Sequence, residues 1–312
     1  MSLALEDGPL GAVLTSPRAS ARPATEATAG LWTERLTPLL ERTVRTDWSV
    51  REHRFRVLAA FLAGTRVADL WHAREPRSGD AALLRAAVVV HLARQHGTRP
   101  PAEAIDWCGQ ACAAAPEDPT PWAVLMDVYR RLSYGQEDVL AAWSEAIIRD
   151  RWHRGAYLSM LQYLSPAEAG STMKMVEFVD RVAENAPPDA ACASVQLRLH
   201  VHRFHALRAE GGLHAATAGR YWSEREAAGH LDSIERAWPQ PGFLRHAQRL
   251  EDLNLLAYAL DAAERREEAA VVFRAIDKRV TLWPWGSTET EALSAFTAAG
   301  ERCAGRARGR RP

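Results

Sequence analysis

His200, His202 and His205 stand together in the run LHVHRFHAL. On a helix, His202 and His205 share a face, so both rings could hold one zinc ion if a third ligand came from elsewhere. His200 points to another face, and no carboxylate lies within four residues of His202 or His205. The triplet reads as polar helix positions and predicts no metal. Cys108 and Cys112 sit one helical turn apart, where a disulfide is awkward, and Cys192 and Cys303 are isolated; all four read as small buried hydrophobes. Glu264, Glu267 and Glu268 are interleaved with Arg265 and Arg266 and read as a solvated charged face. HExxH, GxSxG, P-loop and GxGxxG patterns are missing from the sequence. The reading therefore assigns no catalytic residue, no cofactor and no metal, and expects a chain that is not an enzyme.

The elements that would carry these residues are helices. Alanine-rich stretches such as Ala81 to Leu92 favour helix, and alternating β-branched runs bounded by hairpin turns are missing. Periodicity predicts helices over 31–45, 48–63, 67–74, 80–96, 102–115, 119–133, 136–150, 153–164, 172–186, 190–209, 220–238, 242–263, 266–280 and 288–303. Leu36, Leu39, Leu40 and Val44 should face inward from the first, and Val57, Leu58 and Phe61 from the second. Segments 165–173 and 209–219 read as loops.

One spaced signature recurs along these helices. Ala104, Cys108, Ala111 and Pro116 are followed by Trp122, Leu125 and Tyr129; Val139, Trp143 and Ala146 follow; Met175, Val179, Val182 and Pro187 repeat the frame, so that anchors at 104, 139 and 175 stand 35 and 36 residues apart. Small and larger apolar residues sharing one helix face let two helices approach closely, and the proline stops the second of them. A period of this length indicates stacked helical hairpins.

In these residues the chain resembles the tetratricopeptide repeat. Leu256, Ala257, Ala269 and Phe273 also fall on that family's positions, whereas Leu260 replaces its Tyr and Ile276 its last Ala. Ala227, Leu231, Ile234 and Pro239 supply another second helix with its stop. Gly170 to Pro188, GSTMKMVEFVDRVAENAPP, is similar to a segment of an uncharacterised bacterial helical-repeat family of unknown function. The resemblance implies an all-α fold, a right-handed α-α superhelix of antiparallel hairpins with about 12–14 helices. Together with a start rich in Ser, Thr, Pro, Ala and Gly that lacks helical periodicity, this divides the chain into a disordered segment 1–29, N-terminal helices 30–78, about five degenerate repeats over 79–286, a capping helix 287–304 and a basic disordered tail 305–312.

The resemblance also implies an inner groove lined by the first helix of each hairpin. The corresponding positions here are Asp127, Arg130 and Arg131, then Gln162, then Arg198 and His202, then Asn254, Tyr258 and Asp261. Such a mixed, arginine-bearing surface suits an extended peptide or a partner helix with acidic groups. It lacks the Lys and Asn combination with which chaperone-binding members hold a C-terminal carboxylate. The implied function is a scaffold or receptor for a partner protein or peptide, with a peptide- or ligand-sensing regulator and a sugar-processing α/α toroid as alternatives.

Composition narrows the partner. The 312 residues carry 39 basic and 39 acidic side chains, so the net charge of zero argues against general polyanion or nucleic-acid binding. Only Lys174 and Lys278 are lysines, an arginine bias that reads as base composition. No uninterrupted apolar stretch approaches the roughly 18 residues of a membrane span, and the acid-bearing start lacks a signal peptide's basic region, so a cytoplasmic protein is expected. Of the 11 tryptophans, Trp107, Trp122, Trp143, Trp152, Trp222 and Trp238 are expected between hairpins. Trp283 and Trp285 flank Pro284 in a connecting segment, where a loop folded back over the last hairpin is preferred to a contact anchor. Oligomeric state is left open.

Overall fold

The computed structural model describes residues 7–15, 26–41, 47–212 and 217–308. Among them the fold is all-α, with no strand. The helices are α1 Gly8–Thr15, α2 Glu26–Glu41, α3 Trp48–Leu62, α4 Val67–Arg74, α5 Gly79–His96, α6 Ala104–Ala114, α7 Thr120–Leu132, α8 Gln136–Arg149, α9 Arg154–Tyr163, α10 Thr172–Asn185 and α11 Ser194–Ala209. A 3-10 segment, Ala218–Ser223, then leads to α12 Arg225–Ile234, α13 Arg249–Ala262, α14 Arg266–Ile276 and α15 Glu289–Arg308. The chain divides within α10, after Met175, into two compact units.

In the first unit, each of α5, α6 and α7 packs on the helix that follows it, and α3, α5, α7 and α9 also pack side by side, each against the next. Alternate helices thus form a row. The signature residues make this possible: Ala104, Cys108, Ala111, Val139 and Ala146 are all buried. At the α5–α6 crossing, a Cβ on Gly79 would lie 2.6 Å from the Ala114 Cβ and 3.6 Å from the Ala111 Cα. With no room for a larger side chain there, Ala111→Trp should destabilise the fold by about 1–3 kcal/mol in urea unfolding. Unchanged stability would remove Ala111 from this crossing.

The N-terminal core joins Leu36, Leu39 and Leu40 of α2 to Leu58 and Leu62 of α3, Trp71 of α4 and Leu83 and Leu84 of α5. Each such leucine contributes about 1.5–3 kcal/mol by leaving water. Val44 lies outside the described residues. Phe61, expected inward, is 40% exposed, whereas Arg51, Glu52, His53 and Arg54 are buried. The polar run faces inward because it is neutralised there: Arg51 pairs with Asp80 and Asp118, each at 2.5 Å, and Arg54 with Asp7 at 2.6 Å.

That last pair accounts for a helix the sequence reading placed in a disordered segment. Asp7 caps α1 by accepting the Leu10 N–H at 3.0 Å, and its carboxylate also takes two bonds from Arg54. Leu10 and Leu14 then fall into the core. Residues 26–29 and 305–308, also expected outside the helices, belong to α2 and α15, while residues 1–6, 16–25 and 309–312 lie outside the described set.

In the second unit, α11 packs on α13, α13 on α14 and α14 on α15, with the 3-10 segment and α12 against α11. Four predicted helices are shorter than periodicity suggested: α11 begins only at Ser194, α14 ends at Ile276, and two more are interrupted. The span 220–238 is split into a 3-10 turn and α12, and 242–248 is irregular before α13 begins. Pro239 and Pro241 each lack an N–H, and Gly242 adopts φ +79°, so a helix cannot run through. Among the described residues there are sixteen helical elements, against about 12–14 expected.

Candidate partner-binding site

The predicted groove residues divide between the two units. Asp127, Arg130 and Arg131 occupy the C-terminal half of α7 and Gln162 the end of α9 in the first; Arg198, His202, Asn254, Tyr258 and Asp261 belong to α11 and α13 in the second.

Arg130 is the hub of the first group. Its Nη1 donates to Asp127 Oδ1 at 2.5 Å and to Ser159 Oγ at 2.9 Å, and its Nε and Nη2 grip both oxygens of Glu168 at 2.9 and 2.7 Å. Burial opposes its charge, but Asp127 and Glu168 outweigh that and hold the proton more tightly than usual. With its side chain only 6% exposed, Arg130 is committed to internal pairing. Gln162 donates to Ser165 Oγ at 3.4 Å in the loop that carries Glu168.

Arg131 and Arg94 are placed differently. Arg131 is partly exposed and has no hydrogen-bond acceptor among the described residues. Burial lowers its proton affinity, Asp127 opposes this, and the neighbouring Arg94 and Arg130 charges lower it further. Arg94, on the last turn of α5, lies 3.7 Å from Asp127 Oδ2 with 56% of its side chain exposed. Neither Arg94 nor Glu168 was singled out from the sequence: Arg94 lies on the preceding first helix, and Glu168 on a loop with no periodic pattern.

In the second unit the histidine triplet separates as its helical phase requires. His200 is fully buried, with Nδ1 2.7 Å from the Tyr221 hydroxyl and its ring against His230. His205 Nε2 lies 2.7 Å from the Tyr258 hydroxyl. His202 stacks on Trp283 at 5.2 Å, and Arg198 faces the same indole at 4.1 Å. Burial, reinforced by Arg203, depresses His200 to about 4; burial, with Arg198 and His205, does the same to His202. Among the described residues no group of three or more His, Cys, Asp or Glu could hold a metal ion.

Asn254 is fully buried and holds the loop after α14 instead of facing a groove. Its amide donates to the Leu250 and Arg279 carbonyls at 2.8 and 3.0 Å, and its Oδ1 accepts from Thr281 N–H at 3.2 Å and Trp285 Nε1 at 2.9 Å. Asp261 is likewise engaged, bound by Arg302 at 2.6 Å. Trp285 is buried against Tyr258, Phe273 and Phe296, so the loop does fold back over this hairpin. Trp283 stays partly exposed.

The other reactive groups are quiet. Burial pushes the Cys112 thiol up to about 12 and Cys108 well above its usual value, which leaves little thiolate for nucleophilic chemistry. Arg265, expected on a solvated face, bonds Asp232 at 2.6 Å and also Glu235 and Glu268. Trp222 and Trp238 are buried as expected, but Trp107, Trp122 and Trp152 are partly exposed and faced by Arg85, Arg149 and Arg151 at 4.0, 5.1 and 4.9 Å. Such cation–π contacts cover an indole face without burying it. No described helix is long and apolar enough to cross a membrane.

No protein-family model, curated protein or solved structure matches this chain.

Proposed function

We propose that this chain is a non-enzymatic, tetratricopeptide-like helical-repeat protein that binds a partner protein or peptide. The observation that carries the reading is the row formed by α3, α5, α7 and α9, whose α5 end carries Arg94, paired with Asp127 only at 3.7 Å, and whose α7 end carries the partly exposed Arg131. Side-by-side helices of this kind leave a continuous face along which an extended segment can lie, while guanidinium groups give it polar anchor points. A right-handed superhelical stack is the arrangement this reading adopts for the repeats. Arg94, Asp127, Arg131 and Gln162 are then groove positions, with Arg130 shaping them from below. Asn254 and Asp261 serve the fold and are withdrawn from the contact set, while Arg198 and His202 form a second polar and aromatic group around Trp283, with Tyr258 beside it through His205.

The test is selection of extended peptides from a display library on the purified full-length chain. The reading expects enrichment of sequences that bind wild-type protein and are lost on Arg94→Glu with Arg131→Glu, with helical circular dichroism unchanged. Absence of any enriched sequence, or binding indifferent to both substitutions, would contradict it.

A further inference from the structure

The charge count around Asp127 is uneven. Three guanidiniums, Arg94, Arg130 and Arg131, meet two carboxylates, Asp127 and Glu168. Both carboxylates spend their short ionic contacts on Arg130, Asp127 at 2.5 Å and Glu168 through both oxygens, and Asp127 Oδ1 also accepts from Ser159 Oγ at 2.9 Å. Among the described residues Arg94 retains only a 3.7 Å approach to Asp127, and the Arg131 side chain makes no hydrogen bond. One positive charge is therefore left over. A guanidinium is strongly biased toward a two-oxygen acceptor, because its planar fork donates two parallel bonds.

Glu168 shows what such an acceptor looks like here. It belongs to a tight loop closed by its own backbone: Glu168 N–H donates to Ser165 O at 3.1 Å, Ala169 N–H to Tyr163 O at 3.1 Å and Gly170 N–H to Ser165 O at 3.1 Å. A Cβ on Gly170 would stand 1.9 Å from the Leu164 carbonyl oxygen, so the loop doubles back as it does only because residue 170 lacks a side chain. The fold thus delivers a single carboxylate, from a residue 38 positions along the chain, onto the arginine cluster at the end of α7.

We infer that the Arg94–Arg131 pair is a receptor for side-chain carboxylates of an acidic peptide, and that Glu168 is the intrachain counterpart that occupies Arg130 and competes for the cluster. This rests on the partner-binding reading above and names the ligand chemistry and its internal competitor. A peptide bearing Glu or Asp places one carboxylate across Arg94 and Arg131 and supplies the missing negative charge. With Glu168 neutralised, Arg130 also becomes available, so the site strengthens.

The experiment is fluorescence anisotropy on the full chain with a labelled peptide alternating glutamate and alanine, its glutamine counterpart, and a labelled single-stranded oligonucleotide. Binding of the glutamate peptide alone is expected. Arg131→Gln, a side chain with no internal hydrogen bond to lose, should weaken it about tenfold, and Glu168→Gln should tighten it several-fold. Urea unfolding of both variants separates binding from stability, and Glu168→Asp should restore competition if Glu168→Gln proves poorly folded. Equal affinity for the glutamine peptide, preference for the oligonucleotide, or indifference to Arg131→Gln would overturn the inference. If library selection yields binders that ignore Arg94 and Arg131, this site fails while the partner-binding reading survives in another place.

Discussion

Arg51→Leu is expected to lower the stability of the first unit by about 3–5 kcal/mol, the range for removing one member of a buried ion pair. Arg51 is 2% exposed and Asp118 is fully buried. The guanidinium Nε donates to Asp118 Oδ2 and Nη2 to Asp80 Oδ1, both at 2.5 Å. Burial opposes the charge on Arg51, but the two aspartates more than compensate and hold its proton tighter than usual. Without Arg51, Asp118 keeps only the Thr120 N–H at 2.8 Å, and an uncompensated carboxylate is left in a low-dielectric interior. Urea unfolding followed by circular dichroism measures the loss. Arg51→Leu combined with Asp118→Leu should recover part of it, since no buried charge then remains unpaired. A loss under about 1 kcal/mol for the single variant would mean that water reaches this pair.

The second large effect is loss of stability in acid. Unfolded, a histidine titrates near 6.5; folded, burial holds His200 at about 4, and burial with His200 beside it holds His230 at about 3. Both folded values are depressed, so between these limits the native unit binds fewer protons than the unfolded chain. The histidine contribution to stability is complete above the unfolded value and is lost as pH falls from about 6.5 toward the folded values. The combined loss is on the order of several kcal/mol, because the imidazoles, with ring centroids 5.5 Å apart, would have to become cations side by side. Unfolding free energies from pH 7 to about 4 should show this decline, shallower in His230→Gln, which cannot take up a proton. Parallel curves for wild type and variant would remove the histidine pair as the cause.

Helix bounds were partly legible in the sequence: α8 and α10 fall within a residue of the expected bounds because their apolar residues recur at helical spacing, and α3 and α4 do so as well although their buried faces are mixed. Ala104, Cys108, Ala111, Val139 and Ala146 were legible as packing positions for the same reason. What escaped was fixed by contacts between distant residues. α1 exists through Asp7 and Arg54, 47 positions apart. The inward turn of the charged run in α3 depends on Asp118, 67 positions from Arg51. No local pattern encodes either pairing.

The candidate site was legible to the same degree. Asp127, Arg130 and Arg131 were assigned to one helix of a groove through the family resemblance, but the engagement of Arg130 by Glu168 and the burial of Asn254 under the Trp285 loop are tertiary facts. They change the roles: a groove cation becomes a supporting one, and a groove amide becomes a loop anchor. Trp283, by contrast, gained partners in Arg198 and His202 that its connecting segment gave no reason to expect.

The central claim is that an acidic peptide lies across the ends of α5 and α7 in the first unit. Amide hydrogen exchange of the full chain, with and without the alternating glutamate peptide at saturation, tests it most directly. The account predicts slowed exchange confined to residues near 91–97 and 127–134, with faster exchange at 165–170 as Glu168 is displaced. Protection located elsewhere, or none at a concentration where anisotropy reports binding, would contradict it.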